Sequence, residues 1–379
     1  MRKLVFIVGT RPEAIKLSPV VIEARMRGIE SVIVDTGQHK DMVEPALQAF
    51  SLEPDYKLYA EADSTIDGYL PSLTSALFIK IGEFITQITD PTSVVVVQGD
   101  TTSALVGALC GRYHGLKVAH VEAGLRSGDD LNPFPEEINR KLIAQAATYH
   151  FCPTSAALQN LINEGIDPLS TAVVGNTVVD ALYRTLDRNY YIDDDRIRKF
   201  LEKPNSKLIL LTMHRRESWL MLKDIFTHIK SAVEGYEDVL VVVPMHPNVV
   251  VKQQALEIFD VASNFHLVDA LDYTAFINLL AKCYFVVTDS GGIQEEAPYL
   301  LKPSLVIRKV TERTEGVTCK VSLVTGMNPV RVSSYVKKLL HDDEFYNSMR
   351  DPSFNAYGDG EASLRIIDCL KEAVETCQS

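Results

Sequence analysis

At 379 residues the chain is too long for one compact core, and two domains of roughly 180 residues each are expected. Apolar residues make up 46% of it, which describes an ordinary globular protein with ample material for its cores. A formal charge of −12 argues against a general nucleic-acid or membrane-surface role, so any anionic ligand must be met by a local cluster of Arg, Lys and helix N-termini.

The first residues, MRKLVFIVGTRPE, are basic then apolar. The apolar run over residues 4–8 is far too short for the core of a signal peptide and reads as a first strand. No apolar stretch approaches membrane-spanning length. Cys110, Cys152, Cys283, Cys319, Cys369 and Cys377 show no CxxC spacing, and most sit in apolar surroundings. Buried thiols in a reducing cytoplasm are expected, with neither disulfides nor a metal.

Strand and helix patterns then alternate. Apolar strands are expected over residues 3–8, 31–35, 93–98, 117–121, 149–152 and 171–174, with helices over 14–26, 68–88, 101–113, 137–147 and 155–164. Short, continuously apolar strands separated by helices mean a parallel sheet covered on both faces. Residues 188–206 are polar and charged and read as a joint with one short helix. The alternation restarts with strands at 207–212, 239–243, 265–268, 284–288 and 304–307. The expected fold is therefore α/β, with two Rossmann-like doubly wound parallel-sheet domains facing a cleft. The first covers 1–187 and the second 188–358; residues 359–379 remain as a last helix. Ligands of such sheets bind beyond the C-terminal ends of the strands.

Polar punctuation is concentrated at those ends. The stretch FVVTDSGGIQEEAP over 285–298 reads as a strand, a small-residue turn and a helix start. Unpaired N–H groups at Ser290, Gly291 and Gly292 form an anion site with the helix dipole behind them; the plain alternative is a tight turn capped by Ser290. After the first strand, Arg11 and Lys16 are cations near a helix start, where the dipole gives them nothing, so they face an anion more readily than solvent. Pro12 suits a first helical position and Glu13 a first turn. Asp100 follows the third long strand and is either a helix cap or a carboxylate aimed into the cleft. Glu122 follows the next strand, and Glu136 stands in a proline-braced loop ahead of a helix. Three carboxylates at successive strand ends suit acid/base chemistry, because burial and mutual repulsion raise some of their pKa values. In the second half, His214, Arg215 and Arg216 make a concentrated positive site at a strand tip. Tyr273 and Phe276 suit a core or a base-stacking surface.

Taken together, GTRPEAIK, TGQH, QGDTT, HVEAGLRS, NPFPEEINR, GNTVVDA, HRRES, MHPN, TDSGGIQEEAP and TERTEG occur in order from residue 9 to 316 and resemble the non-hydrolysing UDP-N-acetylglucosamine 2-epimerases. The resemblance spans almost the whole chain. It implies a glycosyltransferase-B-like architecture whose last helix packs back on the first domain. It also implies a UDP-sugar substrate, a homodimer, and no cofactor, catalytic metal, nucleic-acid or membrane partner. By resemblance, Ser290, Gly291 and Gly292 hold the diphosphate with Arg11, His214 and Arg313. Leu271 and Phe276 face the uracil, and Glu296 accepts from the ribose. Lys16, Asp100, Glu122 and Glu136 lie on the sugar side, with Asp100, Glu122, Glu136 and His214 catalytic. The implied reaction eliminates UDP to 2-acetamidoglucal and re-adds it with the C2 proton on the other face. A second, activating UDP-sugar site would use Gln38, Glu136, Arg215 and His246. Asp41 and Ser64 depart from the family pattern there, which predicts weakened activation by substrate. Rival readings are a hydrolysing epimerase releasing N-acetylmannosamine and UDP, an epimerase of a modified UDP-2-acetamido sugar, a glycosyltransferase, and a sensor without turnover.

Overall fold

The computed structural model describes all residues except 1–2, 63–67, 89, 132, 214, 216–217, 246–247, 260–263 and 376–379, and the side chains of 88 and 372–375. Two compact units result: unit 1 is Met1–Arg184 with Tyr357–Ser379, and unit 2 is Thr185–Ala356.

Unit 1 is built on seven strands: β1 (Leu4–Val8), β2 (Ser31–Asp35), β3 (Tyr56–Lys57), β4 (Val94–Gln98), β5 (Lys117–Val121), β6 (Tyr149–Cys152) and β7 (Thr171–Val173). Their order is β3-β2-β1-β4-β5-β6-β7, and every pairing is parallel. Every residue of β1 and β4 is buried, as central strands covered by helices on both faces must be. Each such Val or Ile contributes on the order of 1.5–3 kcal/mol, so these strands anchor the unit. The order of strands reverses between β1 and β4, and the turns carrying Arg11 and Asp100 leave the sheet at that point.

Unit 2 repeats the scheme with β8 (Lys207–Thr212), β9 (Val239–Pro244), β10 (Phe265–Val268), β11 (Phe285–Thr288), β12 (Ser304–Val306) and β13 (Ser322–Val324). The order is β10-β9-β8-β11-β12-β13, again all parallel. Its core includes Phe226, Phe259 and Phe265, with ring centroids 4.9 Å and 4.1 Å apart in succession. The reversal falls between β8 and β11, where the hydroxyls of Thr212 and Thr288 meet at 2.8 Å.

The sequence pattern misses β3 and β13. Both are edge strands of two or three residues, too short to show a period. The charged stretch 188–206 carries the helix Asp195–Leu201 and belongs to unit 2. Asp194 caps that helix by accepting from the Ile197 N–H, and it meets His266 Nε2 of β10 at 2.7 Å. After unit 2 the chain returns to unit 1 and ends in the helix Ala362–Glu375. Asp180 receives that helix, accepting from the N–H groups of Ala362 (3.2 Å) and Ser363 (2.7 Å) and from the Ser363 hydroxyl (2.6 Å). Arg27 pairs with Asp368 on the same helix. No described helix is long and apolar enough to cross a membrane.

Candidate active site

In unit 1, the helix Arg11–Met26 starts directly at Arg11, earlier than its apolar period suggests, with Pro12 in its first turn. Lys16 lies one turn in and is buried, although it is a lysine. A buried ammonium requires a partner, and Lys16 Nζ is ion-paired with Glu122 Oε2. Glu122 is itself only 8% exposed and sits just past β5 with φ +66°. A non-glycine residue in the left-handed region costs on the order of 1–3 kcal/mol, and such strain concentrates at working sites.

Asp100 is not the cap of the following helix. Thr101 is, accepting from the Ala104 N–H at 3.0 Å, and the Asp100 carboxylate is left to meet Arg140 Nη2 at 2.6 Å. Asn139 Nδ2 donates to the Asp100 carbonyl at 2.8 Å, and His120 Nε2 stands 2.8 Å from the Gly99 carbonyl. Asn139 and Arg140 lie on the helix Glu136–Ala146, whose first residue is the half-buried Glu136. One helix therefore presents Glu136 and fixes Asp100. Glu137, fully buried, accepts from the Ser127 N–H at 2.9 Å and pairs with Arg140 Nη1 at 3.0 Å.

Three contributors escaped the sequence pattern. Arg140 and Asn139 look like ordinary positions of an amphipathic helix. Glu13 looks like a first-turn acid, yet it is fully buried, accepting from the Gly9 N–H (2.9 Å) and the Thr101 hydroxyl (2.5 Å). Burial pushes its pKa up to about 7 against these donors. Glu13 thus ties the turn after β1 to the turn that carries Asp100. Gln38 belongs to this scaffold too, its Oε1 accepting from the Ser103 N–H (2.9 Å) and hydroxyl (2.7 Å). Asp41 is exposed with φ +64°; Ser64 lies outside the described residues.

In unit 2, β11 ends at Thr288 and the helix Gly291–Glu296 follows, with Ser290 at the cap position but no side-chain cap bond. The Ser290 N–H instead donates to the Thr288 hydroxyl at 3.0 Å. Asp289 is fully buried and accepts from the Arg215 N–H (3.0 Å) and the Ser218 hydroxyl (3.2 Å), so it organises the turn after β8. The two glycines differ. A Cβ on Gly291 would lie 3.1 Å from the Arg313 guanidinium carbon, whereas one on Gly292 would meet nothing within 4 Å. Gly291 therefore makes room for Arg313, and Gly292 leaves open space above the turn.

Arg313 is buried and held by Glu295 (3.0 Å) and Glu312 (3.3 Å); Glu312 also pairs with Arg308 at 2.9 Å. Burial pushes Glu312 up, but Arg313 and Arg308 together outweigh it and hold the carboxyl down to about 2. Arg215 has its pKa lowered by burial and by repulsion from Arg308. Glu296 is buried and accepts from the Tyr273 hydroxyl at 2.9 Å, while Leu271 and Phe276 are half-buried. His214 and His246 lie outside the described residues. Among the described residues no group of three His, Cys, Asp or Glu could hold a metal ion.

Two all-parallel α/β units, each with polar residues gathered where its strand order reverses, define the glycosyltransferase-B-like class of fold. Comparison with known proteins narrows this. The family model described as UDP-N-acetylglucosamine 2-epimerase matches residues 22–371, and the chain belongs to that family. The UDP-N-acetylglucosamine 2-epimerase of Bacillus subtilis is 40% identical over 371 residues, 97% of this chain and 94% of that one. A Staphylococcus aureus protein solved with UDP superposes with a TM-score of 0.90 at 38% identity, covering 99% of this chain and 97% of its own. The Neisseria meningitidis UDP-GlcNAc 2-epimerase, solved bound to UDP-GlcNAc, gives 0.88 at 33% identity, covering 98% and 100%.

Proposed function

We propose that this protein is a non-hydrolysing epimerase that interconverts UDP-N-acetylglucosamine and UDP-N-acetylmannosamine. In this reading unit 2 holds UDP. The Ser290-Gly291-Gly292 turn, with Arg313 behind it, takes the diphosphate, Leu271 and Phe276 take the uracil, and Glu296 takes the ribose. Arg11 and His214 add charge on the diphosphate. Unit 1 supplies proton chemistry on the sugar through Asp100, Glu122 and Glu136, with Lys16 beside them. A base removes the C2 proton as the C1–O bond breaks and UDP departs with the electron pair. UDP then re-adds at C1 while an acid returns a proton to the other face of C2. Two opposed faces need more than one acid/base group, and a departing diphosphate needs fixed positive charge.

The observation that carries the reading is the pairing of two unit 1 carboxylates, each at a strand end and each beside a different cation: Glu122 with Lys16 and Asp100 with Arg140. Incubation with UDP-N-acetylglucosamine in D2O, followed by NMR, tests it. The expected result is deuterium at C2 of both UDP-sugars. Free N-acetylmannosamine with UDP would instead indicate a hydrolysing enzyme, and an unchanged spectrum would indicate a transferase or a sensor. The family's homodimer and its substrate-activated site at Gln38, Glu136, Arg215 and His246 are carried here as proposals. Asp41 and Ser64 favour weak activation, so initial rates are expected to follow a hyperbola; a strongly sigmoidal curve would refute weak activation.

A further inference from the structure

The stretch GNTVVDA is part of the family resemblance, yet neither the diphosphate site nor the acid/base groups use it. Its second residue, Asn176, is 2% exposed, and both its side chain and its backbone are hydrogen-bonded. Its Oδ1 accepts from the Val178 N–H at 3.0 Å, opening the helix Thr177–Thr185. Only oxygen can accept there, so the amide orientation is fixed and Nδ2 faces away from the helix. That Nδ2 donates to Glu122 Oε2 at 3.2 Å, the same oxygen that meets Lys16. Finally, the Asn176 N–H donates to the Tyr357 carbonyl at 2.7 Å, where the chain has just re-entered unit 1.

The re-entry point is tightly built. Gly175 (φ +95°) and Gly358 (φ +100°) cross so closely that a Cβ on Gly358 would lie 2.9 Å from the Gly175 Cα. Arg365 Nη1 donates to the Val174 carbonyl at 3.2 Å, and Asp180 receives the start of the last helix. Asn176 is thus anchored by backbone through its N–H and its Oδ1, while its Nδ2 donates to a carboxylate.

We propose that Asn176 is a positioning residue for the reaction: together with Lys16 it orients Glu122, and the returning C-terminal segment fixes Asn176 in turn. Two donors of different charge on one oxygen lock the carboxylate's rotation, which a single flexible lysine does not. A donor to the ionised form also favours that form over the protonated one. The inference rests on the proposed acid/base role of Glu122.

Asn176→Asp separates the two uses of the side chain. It keeps an oxygen for the Val178 N–H but sets a carboxylate against Glu122 in place of a donor. At pH 8, kcat is expected to fall by about 10²-fold or more with KM and UDP affinity nearly unchanged, and the buried pair of carboxylates should also lower the melting temperature. The deficit should narrow toward pH 6, as the new carboxyl takes a proton and can donate again. Should that variant misfold, Asn176→Ser also caps the helix but is too short to reach Glu122, and the same loss in kcat alone is expected. A folded variant of either kind with wild-type kcat overturns the inference, as does a loss that appears in KM instead of kcat. Glu122→Gln in parallel isolates the underlying reading: if it turns over normally, the role of Glu122 falls, whatever the Asn176 variants show.

Discussion

Units 1 and 2 share a sheet order, a reversal point and parallel strands throughout, yet they arrange charge at their strand ends in different ways. In unit 1 the two candidate acid/base carboxylates meet different cations, Glu122 with Lys16 and Asp100 with Arg140, the latter shared with Glu137. In unit 2 the charges form a chain: Arg308 to Glu312, Glu312 to Arg313, Arg313 to Glu295. Shared contacts of the second kind fix a potential and resist change, which suits holding an anion. Couples of the first kind leave each carboxylate separately addressable by a proton. The scaffold supplies the place, and the residues on it decide the chemistry.

The largest effect expected is on unit 1. Lys16→Met leaves Glu122 buried without its cation, and steady-state assays should show kcat reduced by about 10²–10⁴-fold. A loss below tenfold would mean that the couple is not needed for turnover. In unit 2 the matching change, Arg313→Met, takes that cation from buried Glu295 and leaves Glu312 with Arg308, and should cost about 3–5 kcal/mol in denaturant unfolding, with weaker UDP binding. The glycines sharpen the contrast within one turn. Gly291→Ala pushes a methyl against Arg313 and should cost about 1–3 kcal/mol. Gly292→Ala meets no protein atom, so stability should stay within about 0.5 kcal/mol while UDP binding weakens. If both alanines act alike on stability, the assigned difference between the two positions is wrong.

The smallest effect is the pH dependence, and it also separates the units. Burial lowers the pKa of His120 to about 3 and of His150 to about 4, so the folded state binds fewer protons than the unfolded chain below the ordinary value of 6.5. Unit 1 therefore loses stability as pH falls from there toward about 4. Glu13, raised to about 7 from 4.5, has the opposite slope and offsets one of the two histidines over that interval. Glu312 in unit 2, lowered from 4.5 to about 2, keeps its full contribution above 4.5 and loses it only toward 2. Unit 1 should open first in acid. Hydrogen exchange in β5 and β6 should rise at a pH where fluorescence of the chain's single tryptophan, Trp219 in unit 2, is still native. Simultaneous opening would contradict this.

Much of the architecture was legible because buried parallel strands are continuous apolar runs, and β2, β5, β6, β8 and β10 fall on the residues the pattern marks. Edge strands β3 and β13 lack that signal. Ser290 through Gly292, Asp100 and Glu122 stand out because polar residues at the tip of a buried strand break a strong pattern. Glu13, Arg140 and Asn176 do not, since each occupies a position where a helix start or a helix face tolerates its type. Their partners at the site, Thr101, Asp100 and Glu122, lie tens of residues away in sequence, and only the folded chain brings them together.

In the proposed reading, UDP retention belongs to unit 2 and proton transfer to unit 1. Calorimetric titration of UDP into the Asp100→Asn variant tests it most directly, paired with the variant's turnover. UDP affinity is expected within about twofold of wild type, with turnover reduced by about 10²-fold or more. UDP affinity falling in parallel with turnover, or turnover left intact, would contradict it.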